Sequence, residues 1–277
     1  MESLKILIPT DFSVQAEFAY QLVSKMSENL SADIHFLHVI SAPDTVTMDA
    51  AGNINTCGDI DINYLLKQKD IAERQLQQLR NLYGSSISCH FVVGKLTDQI
   101  INFAEANHFD LIAMGTKGAW GLDEIFSGSE TQLVARRSKV PVLSLMCDRS
   151  DLRIQNILLV HNFNEPAKED MTFLHKLIAA FQPKLHLLQI NSGKTDIDKS
   201  VLETSMKTFA ALNNISNYEC HVIHDIDLER GVASFDQLSD MDMVFIGIHG
   251  KGRLFHNSAA EKLINHLFKP IISFQLR

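Results

Sequence analysis

The segment GTKGAWGLDEIFSGSETQLVARR holds Gly115, Gly118 and Gly128 in the spacing G-x2-G-x9-G, with Ser129 directly behind. Glycines lack a Cβ, so they suit positive φ and a backbone that must come close to a ligand. Ser129 and Gln132 have the S-x-x-Q form of a capping box, which predicts a helix starting just behind Gly128. Unpaired N–H groups at such a start, with the positive end of the helix dipole, favour an anion such as a phosphate chain. A plain glycine-rich connection between strand and helix is the alternative. Two features weigh for a phosphate cradle. The loop is long for such a connection, and Pro9, Thr10 and Asp11 end the first apolar run, where Asp11 can face the same crevice.

Fast phosphoryl chemistry lacks its usual parts. The chain has no G-x4-G-K-[S/T] loop, no G-x-G-x-x-G and no G-x-S-x-G turn. Lys117 sits inside the glycine loop, where a lone lysine is more often solvated than bound to phosphate. Asp123, Glu124 and Glu130 are the carboxylates through which a metal would have to assist hydrolysis.

Histidines fall unevenly, four before residue 148 and eight after. His161, His224, His249 and His256 lie at predicted strand ends or in the second glycine loop, so they can converge on one crevice and suit Zn2+. Separate surface and hydrogen-bonded histidines are the plainer alternative, since no motif spacing or nearby acidic ligand strengthens the metal. Cys89 and Cys220 each precede a histidine in a strand pattern. Strand neighbours point to opposite faces, which rules out an adjacent Cys–His dyad and leaves buried thiols. Cys57 and Cys147 complete the set without any C-x-x-C, so no structural disulfide or zinc knuckle is expected.

The elements that carry these residues occur twice. KILIPTDFS (5–13) returns as NILLVHNFN (156–164), and ADIHFLHVI (32–40) as PKLHLLQIN (183–191). CHFVV, DLIAMGTKG and VPVLSL are echoed in the same order by CHVIH, DMVFIGIHG and KPIISF. About 20 extra residues in the first copy, SAPDTVTMDAAGNINTCGDIDIN, read as a surface loop before a helix. Each copy alternates short, continuously apolar runs with helical patterns such as Ala16, Ala19, Val23, Met26, Leu30 and Leu65, Ala72, Leu76, Leu79, Tyr83. That alternation predicts parallel strands buried on both faces with helical crossovers, one five-stranded α/β layer per copy. The expected units are residues 1–148 and 152–277. Their last strands, VPVLSLM and KPIISFQL, are expected to pair, covering both exposed edges in an internal pseudo-dimer.

Composition bounds the function. A formal charge of −8, from 25 Lys+Arg against 33 Asp+Glu, disfavours binding nucleic acid through its phosphates. No apolar run approaches the ~20 residues of a membrane helix, and the start MESLKILIPTDFS has no leader pattern, so a cytoplasmic protein without membrane contact is expected.

Both copies resemble the universal stress protein family, over nearly all their length. The G-x2-G-x9-G-[S/T] loop of Gly115, Gly118, Gly128 and Ser129 is the most specific element, joined by ILIPTDFS, HVI and PVLSL. The resemblance is to the ATP-binding branch and implies a Rossmann-like, adenine-nucleotide alpha-hydrolase-like fold in each copy. It implies Pro9, Thr10 and Asp11 beside adenine and ribose, and Val39 against the base. Met114, Gly115, Thr116, Gly118, Gly128 and Ser129 then line the ribose and phosphates. Glu130 departs from the family's apolar residue, and its carboxylate repels phosphates unless Mg2+ intervenes, so ATP is expected with or without Mg2+. The second copy keeps Gly247 and Gly250 but has Asn257 in place of the third glycine, and His161 and Asn162 in place of Thr10 and Asp11. It is expected to bind ATP weakly or not at all, and to hold a crevice with altered chemistry. The implied role is a nucleotide-dependent regulator of a stress response, with an unidentified protein partner; a further homodimer stays open. A slow metal-assisted ATP hydrolase and a nucleotide-free scaffold are the alternatives.

Overall fold

The computed structural model describes residues 3–49, 51–57, 61–84, 86–116, 127–163, 165–191, 198–249, 263–264 and 266–276. The first half runs β1 (Leu4–Pro9), α1 (Val14–Met26), β2 (Ala32–Ser41), β3 (Val46–Met48), β4 (Ile54–Thr56), α2 (Ile62–Tyr83) and β5 (Ile87–Gly94). It closes with α3 (Leu96–Ala106), β6 (Leu111–Gly115), α4 (Ser127–Arg137) and β7 (Val142–Leu145). The second half runs β8 (Asn156–Val160), α5 (Thr172–Phe181), β9 (Lys184–Asn191), α6 (Lys199–Leu212), β10 (Tyr218–His224), α7 (Leu228–Ser239), β11 (Met243–His249) and β12 (Ile271–Leu276).

Ten strands form one sheet in the order β10-β9-β8-β11-β12-β7-β6-β1-β2-β5. Counted along its own chain, each half therefore has the order 3-2-1-4-5. Every junction is parallel except β12 with β7, where Ile271, Ile272 and Ser273 pair antiparallel with Ser144, Leu143 and Val142. The last strands of the two halves thus close each other's edges, as expected from the sequence. Two cores follow, one per face of the sheet, and both cross this seam. One packs Ala19 and Val23 of α1 with Leu174 of α5 and Phe209 of α6; the other packs Ile100 of α3 and Val134 of α4 with Val232 of α7.

Equivalent aspartates, just before β6 and β11, clasp the start of the central strand of each half. Asp110 Oδ2 accepts from the N–H of Lys5 at 2.9 Å, and Asp242 Oδ2 from that of Asn156 at 2.7 Å. Helix starts use local acceptors, Ser13 for α1, Asp61 for α2, Asp198 for α6 and Asp227 for α7.

Two expectations change. The 20-residue insertion is not simply a loop: β3 and β4 pair antiparallel, and buried Val46 and Ile54 join Ile40, Leu65 and Val93 in a third cluster. Runs of three residues are too short for periodicity to reveal. In their connection Gly52 takes φ +81°, while Asp49 accepts from the side-chain amide and the N–H of Asn53, and then from the N–H of Ala51, holding its carboxyl below the usual carboxylate range. Second, α4 begins at Ser127, so Gly128 and Ser129 lie in its first turn and Ser129 is not the cap. The residue that precedes this helix lies outside the described residues.

Leu143, fully buried at the seam, packs into the core that α1 and α5 share. Leu143→Ala is expected to lower stability by about 2–5 kcal/mol, read from urea unfolding midpoints.

Candidate functional site

In an open parallel sheet, ligands sit beyond the carboxyl ends of strands where crossovers part to opposite faces. In the first half that point lies between β1 and β6. Beyond β1 the chain turns sharply. The Thr10 hydroxyl accepts from the N–H of Phe12 at 2.9 Å, Asp11 Oδ1 accepts from that of Ser13 at 3.0 Å, and Phe12 takes φ +63°. This left-handed residue is strained for a bulky side chain. Its ring lies 4.7 Å from that of His38, whose Nδ1 donates to the Thr10 carbonyl oxygen at 2.8 Å. Thr10 is thereby held from both sides, and exposed Asp11 is left at the mouth.

Across the crevice, β6 ends at Gly115. A Cβ there would lie 2.0 Å from the carbonyl oxygen of Gln15, so this glycine answers to the first turn of α1. Close helix approach, not positive φ, requires it. The Thr131 hydroxyl donates to the Gly115 carbonyl oxygen at 3.4 Å, and the N–H of buried Thr116 donates to that of Leu145 at 2.8 Å.

Between these ends opens a cavity of about 360 Å3. Leu37, Val39, Ile100 and Met114 supply an apolar wall, while Thr10, Asp11, Gln15, His38, Glu130 and Thr131 supply polar groups. The N-terminal turn of α1 lines it through Ser13, Gln15 and Ala16. Glu130, in the first turn of α4, accepts a hydrogen bond from the hydroxyl of Thr97 on α3.

Of the residues expected here, Pro9, Thr10, Asp11, Val39, Met114, Gly115 and Glu130 line this one cavity. Thr116 directly follows β6, outside the lining of this cavity, and Gly128 and Ser129 share the turn of α4 with Glu130. Gly118, Lys117, Asp123 and Glu124 lie outside the described residues. Ser13, Gln15, His38, Ile100 and Thr131 were not expected. Ser13 had a readable signal, a capping serine after PTDF, while Ile100 and Thr131 arrive from helices whose docking no local pattern encodes.

Residues 3–145 match the universal stress protein family. The chain belongs to that family. Two universal stress proteins of Methanocaldococcus jannaschii are each 29% identical over half of this chain, covering 79% and 92% of their own lengths. The crystal structure of a universal stress protein from Archaeoglobus fulgidus superposes with a TM-score of 0.75 at 21% identity, over 99% of both chains. Both halves of this universal stress protein therefore share the family's Rossmann-like, adenine-nucleotide alpha-hydrolase-like architecture. No helix among the described residues is long and apolar enough to cross a membrane.

Of the four second-half histidines expected to converge, the structure describes the side chains of two. The His161 ring is buried 4.7 Å from Phe209 and its Nε2 lies 3.7 Å from Glu169, so it points into the core beneath α6. His224 is exposed. The side chain of His249, and all of Gly250, His256 and Asn257, lie outside the described residues.

Histidines pair across the outer strands: His35 Nδ1 lies 2.9 Å from His90 Nε2, and His186 Nδ1 lies 3.0 Å from His221 Nε2. Burial, then the neighbouring charges of His35, Arg80 and Lys5, pushes the His90 pKa down against an opposing pull from Asp33. His186 and His221 are also pushed down, chiefly by burial. Cys89 belongs to the core on the opposite face from His90, and burial pushes both its thiol and that of Cys220 up, away from the reactive thiolate.

Gly115→Ala is expected to lose about 1–3 kcal/mol or more, because its Cβ meets backbone. Gly247→Ala should lose less, since its Cβ meets the side chain of Leu276 and not backbone as nearest atoms; urea unfolding of both variants compares them.

His90 also predicts a pH dependence. Its folded pKa lies below its usual 6.5, so the unfolded chain takes up the proton first as pH falls. The stability it contributes is complete above about pH 6.5 and is lost below it. Unfolding midpoints should drop on acidification from about pH 7.5 to about pH 5.5, and His90→Gln should flatten that drop.

Proposed function

We propose that this universal stress protein binds one ATP per chain in the cavity between β1 and β6, and that the bound nucleotide sets its conformation or its choice of protein partner. The observation that carries this is the cavity itself, apolar at its wall and polar at its mouth, at the crossover point between β1 and β6. Its volume suits a base and ribose and falls at the lower end of ordinary ligand pockets. Leu37, Val39, Ile100 and Met114 would hold the planar base, and exposed Asp11 would receive the ribose hydroxyls. The phosphates would extend toward Gly115, Thr116 and the first turn of α4, whose N–H groups have no acceptors within the helix. ATP supplies negative charge there and a distinct conformational ligand. The chain's own residues bind and orient it.

Glu130 is the residue that decides how metal enters. Its carboxylate sits at the positive end of α4, where it competes with phosphate, and the Thr97 hydroxyl anchors it. Within this reading residues 1–148 form the nucleotide-binding unit and residues 152–277 a diverged copy. The chain acts in binding, not in fast turnover.

Calorimetry should find one ATP per chain. Asp11→Ala and Gly118→Val should each weaken it at least tenfold, about 1.4 kcal/mol. Without Mg2+, Glu130→Gln should tighten ATP several-fold. Weaker binding of Mg2+-loaded ATP by the same variant would assign Glu130 to the metal. Mass spectrometry of ligand released from fresh protein tests the nucleotide, and turnover of radiolabelled ATP tests the hydrolase alternative.

A further inference from the structure

A second constellation lies at the far edge of the second half. β9 and β10 pair with His186 opposite Glu219, and His221 follows two residues later on the same face of β10. The two imidazole rings stack with centroids 5.2 Å apart, His186 Nδ1 facing His221 Nε2 at 3.0 Å. Glu219 Oε2 lies 4.0 Å from the first nitrogen and 3.9 Å from the second. A point about 2.1 Å from all three atoms exists within this triangle, matching Zn–N and Zn–O bond lengths.

Surrounding groups orient the three. Asn156 Oδ1 faces His186 Nε2 at 3.3 Å; as an acceptor it places the imidazole proton on Nε2 and leaves the Nδ1 lone pair toward the site. Lys184 Nζ holds the other carboxylate oxygen of Glu219 at 2.5 Å, leaving Oε2 toward the imidazoles. Phe235 backs the His221 ring at 4.7 Å. Glu219 is exposed, so one side of the triangle is open to water.

The first half provides an internal contrast. His35 and His90 repeat the same Nδ1 to Nε2 contact at 2.9 Å, but Ser88 stands opposite His35 where Glu219 stands opposite His186. The nearest carboxylate, Asp33, lies 3.0 Å from His35 Nε2, the nitrogen turned away from the pair. One pair therefore has a third ligand aimed between its nitrogens and the other does not.

We propose that His186, Glu219 and His221 form a binding site for a divalent ion of the zinc class, with the remaining coordination position open to solvent. Two neutral imidazoles and a carboxylate are the donor set of many three-residue zinc sites. The ion would tie the outermost strand to β9, and because the unfolded chain lacks the preformed triangle, binding would stabilise the fold. The site is separate from the nucleotide cavity.

The test uses the full chain after chelator treatment, titrated with Zn2+ by calorimetry and with Co2+ by visible absorption. One equivalent should bind, with Co2+ showing the intense bands of a four-coordinate site. Glu219→Gln, at an exposed position that leaves the fold intact, and His221→Gln should each weaken that equivalent at least tenfold and reduce the Co2+ bands. His90→Gln should leave both unchanged. Absence of saturable Zn2+ binding below about 0.1 mM, binding that survives both second-half substitutions, or binding lost in His90→Gln would each overturn the assignment.

Discussion

A parallel sheet has no solvent-facing side, and most of this molecule follows from that constraint. The β1 side chains Ile6, Leu7 and Ile8 are all essentially inaccessible, so both faces of the strand must be covered by helices. Helices on both faces force successive crossovers to diverge. Where those from β1 and β6 diverge, the backbone cannot close over the strand ends, and the cavity opens there. The same sheet would leave β7 and β12 with unpaired backbone groups at its edge. Their antiparallel pairing removes both edges at once and makes the two cores continuous across the chain.

Within the cavity, structural and binding demands fall on the same residues. Gly115 admits the first turn of α1 so closely that any side chain would meet backbone, and that approach brings Gln15 and Ala16 to the cavity wall. Phe12 in a left-handed conformation lets the Asp11 carboxylate remain at the mouth while Ser13 starts the helix. The strained turn is held by the Thr10 hydroxyl and by the contact of His38 with the Thr10 carbonyl.

The two halves keep their scaffold and diverge in their chemistry. The aspartate that clasps the central strand, the cysteine before an outer histidine and the stacked histidine pair all recur, with Cys89 buried and Cys220 only partly so. What differs is small in number and large in charge. His161 turns inward toward Phe209 where Thr10 frames the first cavity, and Glu219 adds a carboxylate where the first half has Ser88. A duplicated fold thus carries different polar groups at equivalent backbone positions.

The amino-acid sequence alone determined the duplication, the α/β class, the main strands and the pairing of the last strands. Long, continuously apolar runs and repeated order are local signals that survive without coordinates. It also marked PTD at the end of β1 and Gly115 at the end of β6, both of which line the cavity. Tertiary structure alone decided that Gly115 serves the approach of α1, that Ile100 and Thr131 reach the cavity, and that α4 starts before Ser129. It also decided the histidine pairs. His35 and His90 are 55 positions apart and His186 and His221 are 35 apart, and strand register, set by burial of the neighbouring positions, brings their nitrogens together. The insertion shows the same limit: Val46 and Ile54 form a ribbon because the end of β2 and the flank of α2 offer them a buried surface, which their own short segments cannot announce.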